Sequence, residues 1–150
     1  MENAIRVSDI AHKLNIKVKV NITVVRQNYR DDFREIICRM NPQRVKAFQV
    51  LKIFDANSED YDTYGVTFDE YQTFCDNHRD FVLRNGQKII FESSDDMISS
   101  YLMLDPLGRV MTNHGQKMSY YDYFEAMDCN IDKILNIEKY LERGGKYNWN

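Results

Sequence analysis

The chain has 150 residues, and its 20 basic and 23 acidic side chains give a formal net charge of −3. This length fits one domain, and the acidic balance argues against a general nucleic-acid binder, which would show a basic patch or stripe. Apolar runs of ~20 residues are lacking, which argues against a transmembrane segment, and the N-terminus has no signal-peptide pattern. Three widely spaced cysteines, Cys38, Cys75 and Cys129, suit a reducing compartment, so we expect a cytoplasmic location.

The first part of the chain alternates between helical and strand patterns. Helices with short connections to apolar strands are typical of parallel βα units in a sheet or barrel. The predicted elements are a helix over 2–14, a strand over 16–25, a helix capped by Asp31 or Asp32 and ended by Asn41-Pro42, and a strand over 43–53.

Both strands carry positive charge on one face. The period-two alternation of a strand places Lys17, Lys19 and Asn21 together, and it likewise places Arg44 with Lys46. An unpaired cation inside a sheet is costly, so these faces should meet water, carboxylates or an anionic ligand. An edge strand, or salt bridges to neighbouring carboxylates, is the simpler interpretation, but matched basic positions on consecutive strands favour an anion site such as phosphate.

The regular alternation ends after residue 54, where an acidic loop covers 55–62. A capping box that begins at Thr67 predicts a helix to about His78. A turn through Pro106 and Gly108 predicts a β-hairpin. The remaining predicted elements are a strand over 88–91, hairpin strands over 100–105 and 109–112, and helices over 120–127 and 131–141.

Candidate chemical residues outside the strands leave alternatives open. The run Arg143-Gly144-Gly145-Lys146 fits a helix C-cap, which is the simpler interpretation. It also fits a glycine loop whose amides and cations cover a phosphate, although glycine pairs flanked by basic residues are common. Tyr101 could belong to the core or present its phenol to a pocket. The histidines His12, His78 and His114 have no ligand-like spacing, so we expect ordinary surface residues and no metal site in this chain.

Four segments in this order resemble the C-terminal half of viperin and its prokaryotic relatives, the radical S-adenosylmethionine nucleotide dehydratases. The resemblance covers nearly the whole chain, from Glu2 to Trp149. The segments are Lys19-Val-Asn21, Asn41-Pro-Gln-Arg44-Val-Lys46-Ala-Phe48-Gln49, Ser100-Tyr101-Leu-Met-Leu-Asp105 with Arg109, and Arg143-Gly-Gly-Lys-Tyr147-Asn-Trp149.

The resemblance implies an α/β fold. Residues 1–54 would form about two βα units from the C-terminal part of a partial TIM-like barrel, and 55–150 an α+β extension with a β-hairpin that covers a nucleotide site. In the family, a 4Fe–4S cluster on a CxxxCxxC loop cleaves S-adenosylmethionine. The resulting radical converts a nucleoside triphosphate, such as CTP, into its 3′-deoxy-3′,4′-didehydro form, which acts in antiviral defence.

The resemblance also assigns roles to individual residues. Tyr101 matches a tyrosine near the ribose that could donate hydrogen to the substrate radical. The residues that would hold the triphosphate are Lys19, Asn21, Arg44, Lys46, Arg143, Gly144, Gly145 and Lys146. The CxxxCxxC motif does not occur in this sequence, so we expect a substrate-binding half that is inactive alone and that acts with a complementing N-terminal half. The alternatives are a non-catalytic module that binds nucleoside triphosphates or a protein, and a fragment without function.

Overall fold

A computed structural model describes residues 2–54, 56–128 and 131–147. The helices are α1 (Glu2–Lys13), α2 (Arg34–Met40), α3 (Tyr61–Tyr64), α4 (Phe68–His78), α5 (Ser94–Met97), α6 (Tyr123–Asp128) and α7 (Ile137–Glu142), with a 3₁₀ turn at Ile131–Lys133. The strands are β1 (Lys19–Val24), β2 (Arg44–Gln49), β3 (Ile90–Glu92), β4 (Met103–Leu104), β5 (Val110–His114) and β6 (Lys117–Tyr121).

The chain folds into two compact units. The first contains the residues up to Gln49 together with Val66–Phe91, and the second contains Val50–Gly65 together with Glu92–Tyr147. Strand β3 crosses this division, because its last residue groups with the second unit. Across the described residues, every helix falls short of the length and apolar character needed to cross a membrane.

The first unit confirms the predicted helix–strand–helix–strand order. Strands β1 and β2 pair in parallel, and the sheet order is β1-β2-β3. One sheet face is apolar and forms the core, with Ile22 and Val24 of β1 buried beside Val45 and Ala47 of β2. This alternation of buried apolar side chains is why these residues adopt strands. The sheet is an open mixed α/β arrangement, and the described strands form no closed barrel.

Helix α2 starts and ends near the predicted positions, but its N-cap is not an aspartate. Phe33 occupies the N-cap position without a side-chain bond, while Asp32 accepts a hydrogen bond from the Arg34 amide at 2.9 Å. At the other end, Asn41 adopts a left-handed conformation (φ 47°) and its amide donates to the Ile37 carbonyl. Asparagine tolerates this conformation better than most residues, so it ends the helix as expected.

The predicted capping box opens helix α4. The Thr67 hydroxyl accepts from the Glu70 amide at 3.2 Å, and the Glu70 carboxylate accepts from the Thr67 amide at 2.8 Å. The helix buries one side, where the Tyr71 hydroxyl donates to the Ala47 carbonyl of β2 at 3.0 Å. This hydrogen bond joins the helix to the strand that carries two of the predicted site residues.

The second unit contains an antiparallel sheet in the order β4-β5-β6. The predicted hairpin is confirmed as β4 and β5, and Asp105 closes its turn by accepting from the Leu107 and Arg109 amides, both at 2.9 Å. Gly108 has a positive φ of 78°, a conformation that glycine adopts without steric cost. Val110, Ala126 and Ile134 form the buried apolar cluster of this unit.

Several predicted elements of the second unit are wrong in type or extent. Residues 120–127 were predicted to be one helix, but Tyr120 and Tyr121 end strand β6, which pairs with β5. Helix α6 begins only after Asp122, whose carboxylate accepts hydrogen bonds from the Phe124 and Glu125 amides of that helix. The helix predicted over 131–141 is a 3₁₀ turn followed by α7, because Asn136 caps a new helix. The short helices α3 and α5 were not predicted, and α3 begins inside the predicted acidic loop.

Candidate functional site

The first unit brings four predicted site residues together on one sheet face. The parallel register pairs Lys19 with Arg44 and Asn21 with Lys46, so all four side chains project from the face opposite the apolar core. We call Lys19, Asn21, Arg44 and Lys46 the basic face. Lys17, which was predicted to share it, lies before β1 and is exposed. The alternation of side chains along β1 and β2 therefore brings the four residues of the basic face to one side of the sheet.

Burial differs sharply across the basic face. Arg44 and Lys46 are only 4% and 1% exposed, whereas Asn21 is exposed and Lys19 is intermediate. Withdrawing a cation from water costs several kcal/mol unless other groups compensate its charge. Strand β2 thus carries two buried cations. On β1 beside it, the Asn21 side chain is exposed to solvent.

The spacing of the basic face suits a ligand with several anionic groups. Residues two apart on a strand are separated by about 6.6 Å, and adjacent strands lie about 4.8 Å apart. A guanidinium and an ammonium at this separation can contact neighbouring phosphate oxygens, the arginine in a bidentate manner and the lysine as a point charge. These side chains begin their strands or follow shortly after, so the site lies on the sheet face and not at the carboxyl ends.

The second unit contains a separate group of buried polar side chains around Tyr101. The Tyr101 hydroxyl donates to Glu92 Oε2 at 2.5 Å, and the Arg143 guanidinium lies over the Tyr101 ring, 3.7 Å from its centre. Arg143 Nη1 contacts Glu92 Oε1 at 3.4 Å, and Nη2 donates to the Ser100 carbonyl. We call Tyr101, Glu92 and Arg143 the Tyr101 cluster. Glu92 and Arg143 are buried, and Tyr101 is half-buried.

The surroundings of Tyr101 favour its protonated form. Burial and then the hydrogen bond and charge of Glu92 raise the pKa of the Tyr101 phenol well above its ordinary value, against a smaller opposing effect of Arg143. Because the pKa moves upward, the phenol keeps its hydrogen throughout the neutral range. Tyr101 can therefore act as a hydrogen-bond donor, and at neutral pH it carries no negative charge.

The glycine-containing segment forms a helix C-cap. Helix α7 ends at Glu142, Arg143 occupies the C-cap, and Gly144 follows with a positive φ of 68°. Gly145 packs so closely on Tyr140 that a Cβ atom would overlap the Tyr140 carbonyl oxygen. The C-cap geometry therefore accounts for both glycines. Lys146 is exposed, and residues 148–150 lie outside the described part of the chain.

A 4Fe–4S cluster does not fit the described residues. Among them, no group of three or more histidine, cysteine or acidic side chains is placed to hold a metal ion. The two described cysteines are free thiols, with Cys38 exposed and Cys75 buried, and Cys129 lies outside the described residues. Burial raises the pKa of the Cys75 thiol to about 11, which disfavours the thiolate that binds metal.

Glu92 and His78 are buried polar residues that were not among the predicted site residues. Glu92 follows the predicted strand 88–91, and the only signal was an acidic residue at the end of an apolar run. His78 was expected to be an ordinary surface residue, which is wrong, because it is 1% exposed. Its Nε2 accepts from the Phe33 amide at 3.0 Å, so Nδ1 carries the hydrogen that is donated to the Phe74 carbonyl at 2.8 Å. His78 thus links α4 to the start of α2.

Comparison with known proteins identifies relatives along almost the whole chain. A protein of a Thermoplasmatales archaeon, named S-adenosylmethionine-dependent nucleotide dehydratase, is 38% identical over 149 residues, which are 99% of this chain and 52% of the relative. A protein of the same name from Lacinutrix mariniflava is 33% identical, over 95% of this chain and 29% of the relative. An Oncorhynchus mykiss protein of that name is 26% identical, over 99% of this chain and 44% of the relative.

These comparisons relate the chain to only part of each longer protein. No protein-family model matches the chain. The chain spans about half of the archaeal relative and less of the other two. By sequence, the chain is therefore similar to the viperin-like S-adenosylmethionine-dependent nucleotide dehydratases along almost its whole length, and its coverage of those proteins is consistent with their C-terminal half.

Proposed function

We propose that the basic face binds the phosphate groups of a nucleoside triphosphate. The observation that carries this proposal is the parallel register, which pairs Lys19 with Arg44 and Asn21 with Lys46 on the sheet face away from the apolar core. A protein with a net charge of −3 has concentrated several cationic or amide donors there, two of them buried. Converging lysine and arginine side chains are the usual partners of phosphate.

The reaction that this binding would serve is nucleotide dehydration. The relatives carry this activity in their names, and we infer that the present chain supplies substrate binding for it. In the proposed reaction a nucleoside triphosphate such as CTP becomes its 3′-deoxy-3′,4′-didehydro form, in an antiviral role. The described residues do not fit a cluster, so S-adenosylmethionine and the 4Fe–4S cluster would act in a further polypeptide segment. That segment would also complete the partial barrel.

Residues of the second unit have proposed roles of their own. Tyr101 would be the hydrogen donor to the substrate, and the segment from Arg143 to Lys146 would contact phosphate. In the described arrangement, the Arg143 guanidinium contacts Glu92, Ser100 and the Tyr101 ring. A phosphate contact by Arg143 would therefore require an exchange of these partners. The free thiols Cys38 and Cys75 support the expected cytoplasmic location.

A non-catalytic binding module is the second candidate function. It is favoured by the lack of a metal-binding group among the described residues. In this case, the chain would hold a nucleoside triphosphate without transforming it. Both candidate functions use the basic face to bind the nucleotide. They differ in whether the nucleotide is converted to product when a polypeptide that carries the cluster and S-adenosylmethionine is added.

Calorimetric titration with CTP, GTP and UTP tests the shared binding site. A charge-assisted hydrogen bond contributes about 1.5–3 kcal/mol. Lys46→Gln should therefore raise the dissociation constant about 13-fold to 160-fold, at 1.36 kcal/mol per tenfold change. Lys88→Gln is the matched control, since Lys88 is an exposed lysine of the same unit, and its dissociation constant should stay unchanged.

Equal loss of affinity in both variants would indicate non-specific charge attraction and would contradict the proposed site. Reconstitution with iron and sulfide, followed by S-adenosylmethionine, tests the assignment of the radical chemistry to a further segment. We expect no cluster absorbance and no deoxyadenosine from the chain alone, and either signal would overturn that assignment. Product formed after a cluster-bearing N-terminal half of a relative is added would separate the dehydratase from the binding module.

A further inference from the structure

The Tyr101 cluster gives the phenol hydrogen of Tyr101 a definite direction. A phenol has a single hydrogen to donate, and here it is directed to Glu92 Oε2 over the short distance of 2.5 Å. The other carboxylate oxygen, Oε1, faces Arg143 Nη1 at 3.4 Å. The carboxylate thus contacts the phenol with one oxygen and the guanidinium with the other.

Arg143 restrains this arrangement through further contacts around Tyr101. Its guanidinium is stacked on the Tyr101 ring at 3.7 Å and donates to the Ser100 carbonyl, the backbone group directly before Tyr101. Cation–π stacking of this kind is stronger where water is excluded, and Arg143 is buried. The Arg143 guanidinium therefore restrains the Tyr101 ring, the Ser100 carbonyl and the Glu92 carboxylate that accepts the phenol hydrogen.

We propose that Glu92 is a positioning residue for Tyr101, which fixes the direction of the phenol hydrogen while Arg143 keeps the carboxylate and the ring in place. This inference rests on the proposed role of Tyr101 as a hydrogen donor and makes that role conditional. The hydrogen that would be given to a substrate first lies in the bond to Glu92, so this bond must break or lengthen before donation. The pair would keep Tyr101 from reacting until a ligand changes its surroundings.

The charged and titratable groups that act on the phenol are Glu92, Arg143 and, more weakly, Tyr147. Glu92 favours the protonated phenol because it accepts the hydrogen and carries negative charge. Arg143 acts in the opposite sense because it favours the phenolate. Removing the charge of Glu92 while keeping its size should therefore lower the pH at which Tyr101 ionises, even if the fold is unchanged.

The test follows the ionisation of Tyr101 by NMR in the full chain, labelled with ¹³C at the ζ carbon of tyrosine and without nucleotide. Tyr101→Phe identifies the Tyr101 signal by its disappearance. In the unaltered chain, Tyr101 should ionise at higher pH than exposed tyrosines, whose reference pKa is about 10. Glu92→Gln should lower the pH midpoint of Tyr101 ionisation, so that the ionisation constant of the phenol rises at least about tenfold. Glu125→Gln, at an exposed position on α6, should leave it unchanged.

A folded Glu92→Gln chain with an unchanged Tyr101 midpoint would overturn the proposal. If Glu92→Gln prevents folding of the second unit, Glu92→Asp carries the test. The shorter carboxylate keeps the charge but withdraws from the phenol, so the midpoint should still fall, and an unchanged midpoint is again contrary. Nucleotide binding by the basic face is tested separately, with Lys46→Gln in the other unit. The proposed binding site and the proposed role of Glu92 can therefore fail independently.

Discussion

The hydroxyl of Tyr71 should contribute measurably to the stability of the first unit and not to its proposed binding. This hydroxyl donates to the Ala47 carbonyl at 3.0 Å, and Tyr71 is buried at 1% exposure. Tyr71→Phe keeps the ring, so it opens no large cavity, and it removes the hydrogen bond to the Ala47 carbonyl together with the hydroxyl's contact with the Cys75 thiol. The net value of such a bond is about 0.5–1.5 kcal/mol. Because Ala47 faces the apolar core and Lys46 the opposite side, the basic face should retain its register.

Amide hydrogen exchange measures this effect element by element. A loss of 0.5–1.5 kcal/mol corresponds to exchange about 2-fold to 13-fold faster, at 1.36 kcal/mol per tenfold change. The amides of β2 and α4 should accelerate by this factor, while those of α7 in the other unit should not. Tyr29→Phe, at a half-buried tyrosine of the same unit, is the control. Unchanged exchange in β2 and α4 would refute the argument, as would acceleration spread evenly over both units.

Three further predictions concern the scaffold. Thr67→Ala removes the capping box and should lower the free energy of unfolding by about 1 kcal/mol in urea titrations, whereas Thr67→Ser should not. The pKa of the Cys75 thiol is raised from 9.0 to about 11, so its contribution to stability is full below pH 9 and declines as the pH rises towards 11. Cys75→Ala should reduce this alkaline decline, and an equal decline would contradict it. In Gly145→Ala, the added Cβ atom would overlap the Tyr140 carbonyl oxygen. This variant should destabilise α7 by more than about 1 kcal/mol, measured as faster amide hydrogen exchange in α7. Lys146→Ala is the control and should leave that exchange unchanged.

The local signals in the sequence were sufficient for the order of the elements from α1 to β2 and for the start of α4 in the first unit. Alternation in β1 and β2 and the capping box at Thr67 each depend on neighbours within a few residues, so a single sequence contains them. In the second unit, local signals led to a wrong prediction at Tyr120 and Tyr121, which belong to strand β6 and not to a helix. Their aromatic rings fit a helix or a strand equally well, and pairing with β5 decided between these states. That pairing is a tertiary contact that no local pattern contains.

The candidate site shows the same division between local and distant information. The basic face could be predicted because strand alternation determines which side chains share a face. The Tyr101 cluster could not, since Glu92 and Arg143 are 51 positions apart in the chain and meet only in the folded unit. His78 was assigned to the surface because a histidine on a helix gives no local sign that Phe33 and Phe74 will enclose it.

The central claim is that the basic face is where the triphosphate binds. The most direct test is a titration of the ¹⁵N-labelled chain with CTP, followed by NMR at each backbone amide. We predict saturable shifts concentrated in β1 and β2 around Asn21 and Lys46. In Lys46→Gln these shifts should need about 13-fold to 160-fold more CTP, and in Lys88→Gln they should be unchanged. Saturable shifts that leave both strands unaffected, or that saturate at the same CTP concentration in Lys46→Gln as in the unaltered chain, would contradict the claim.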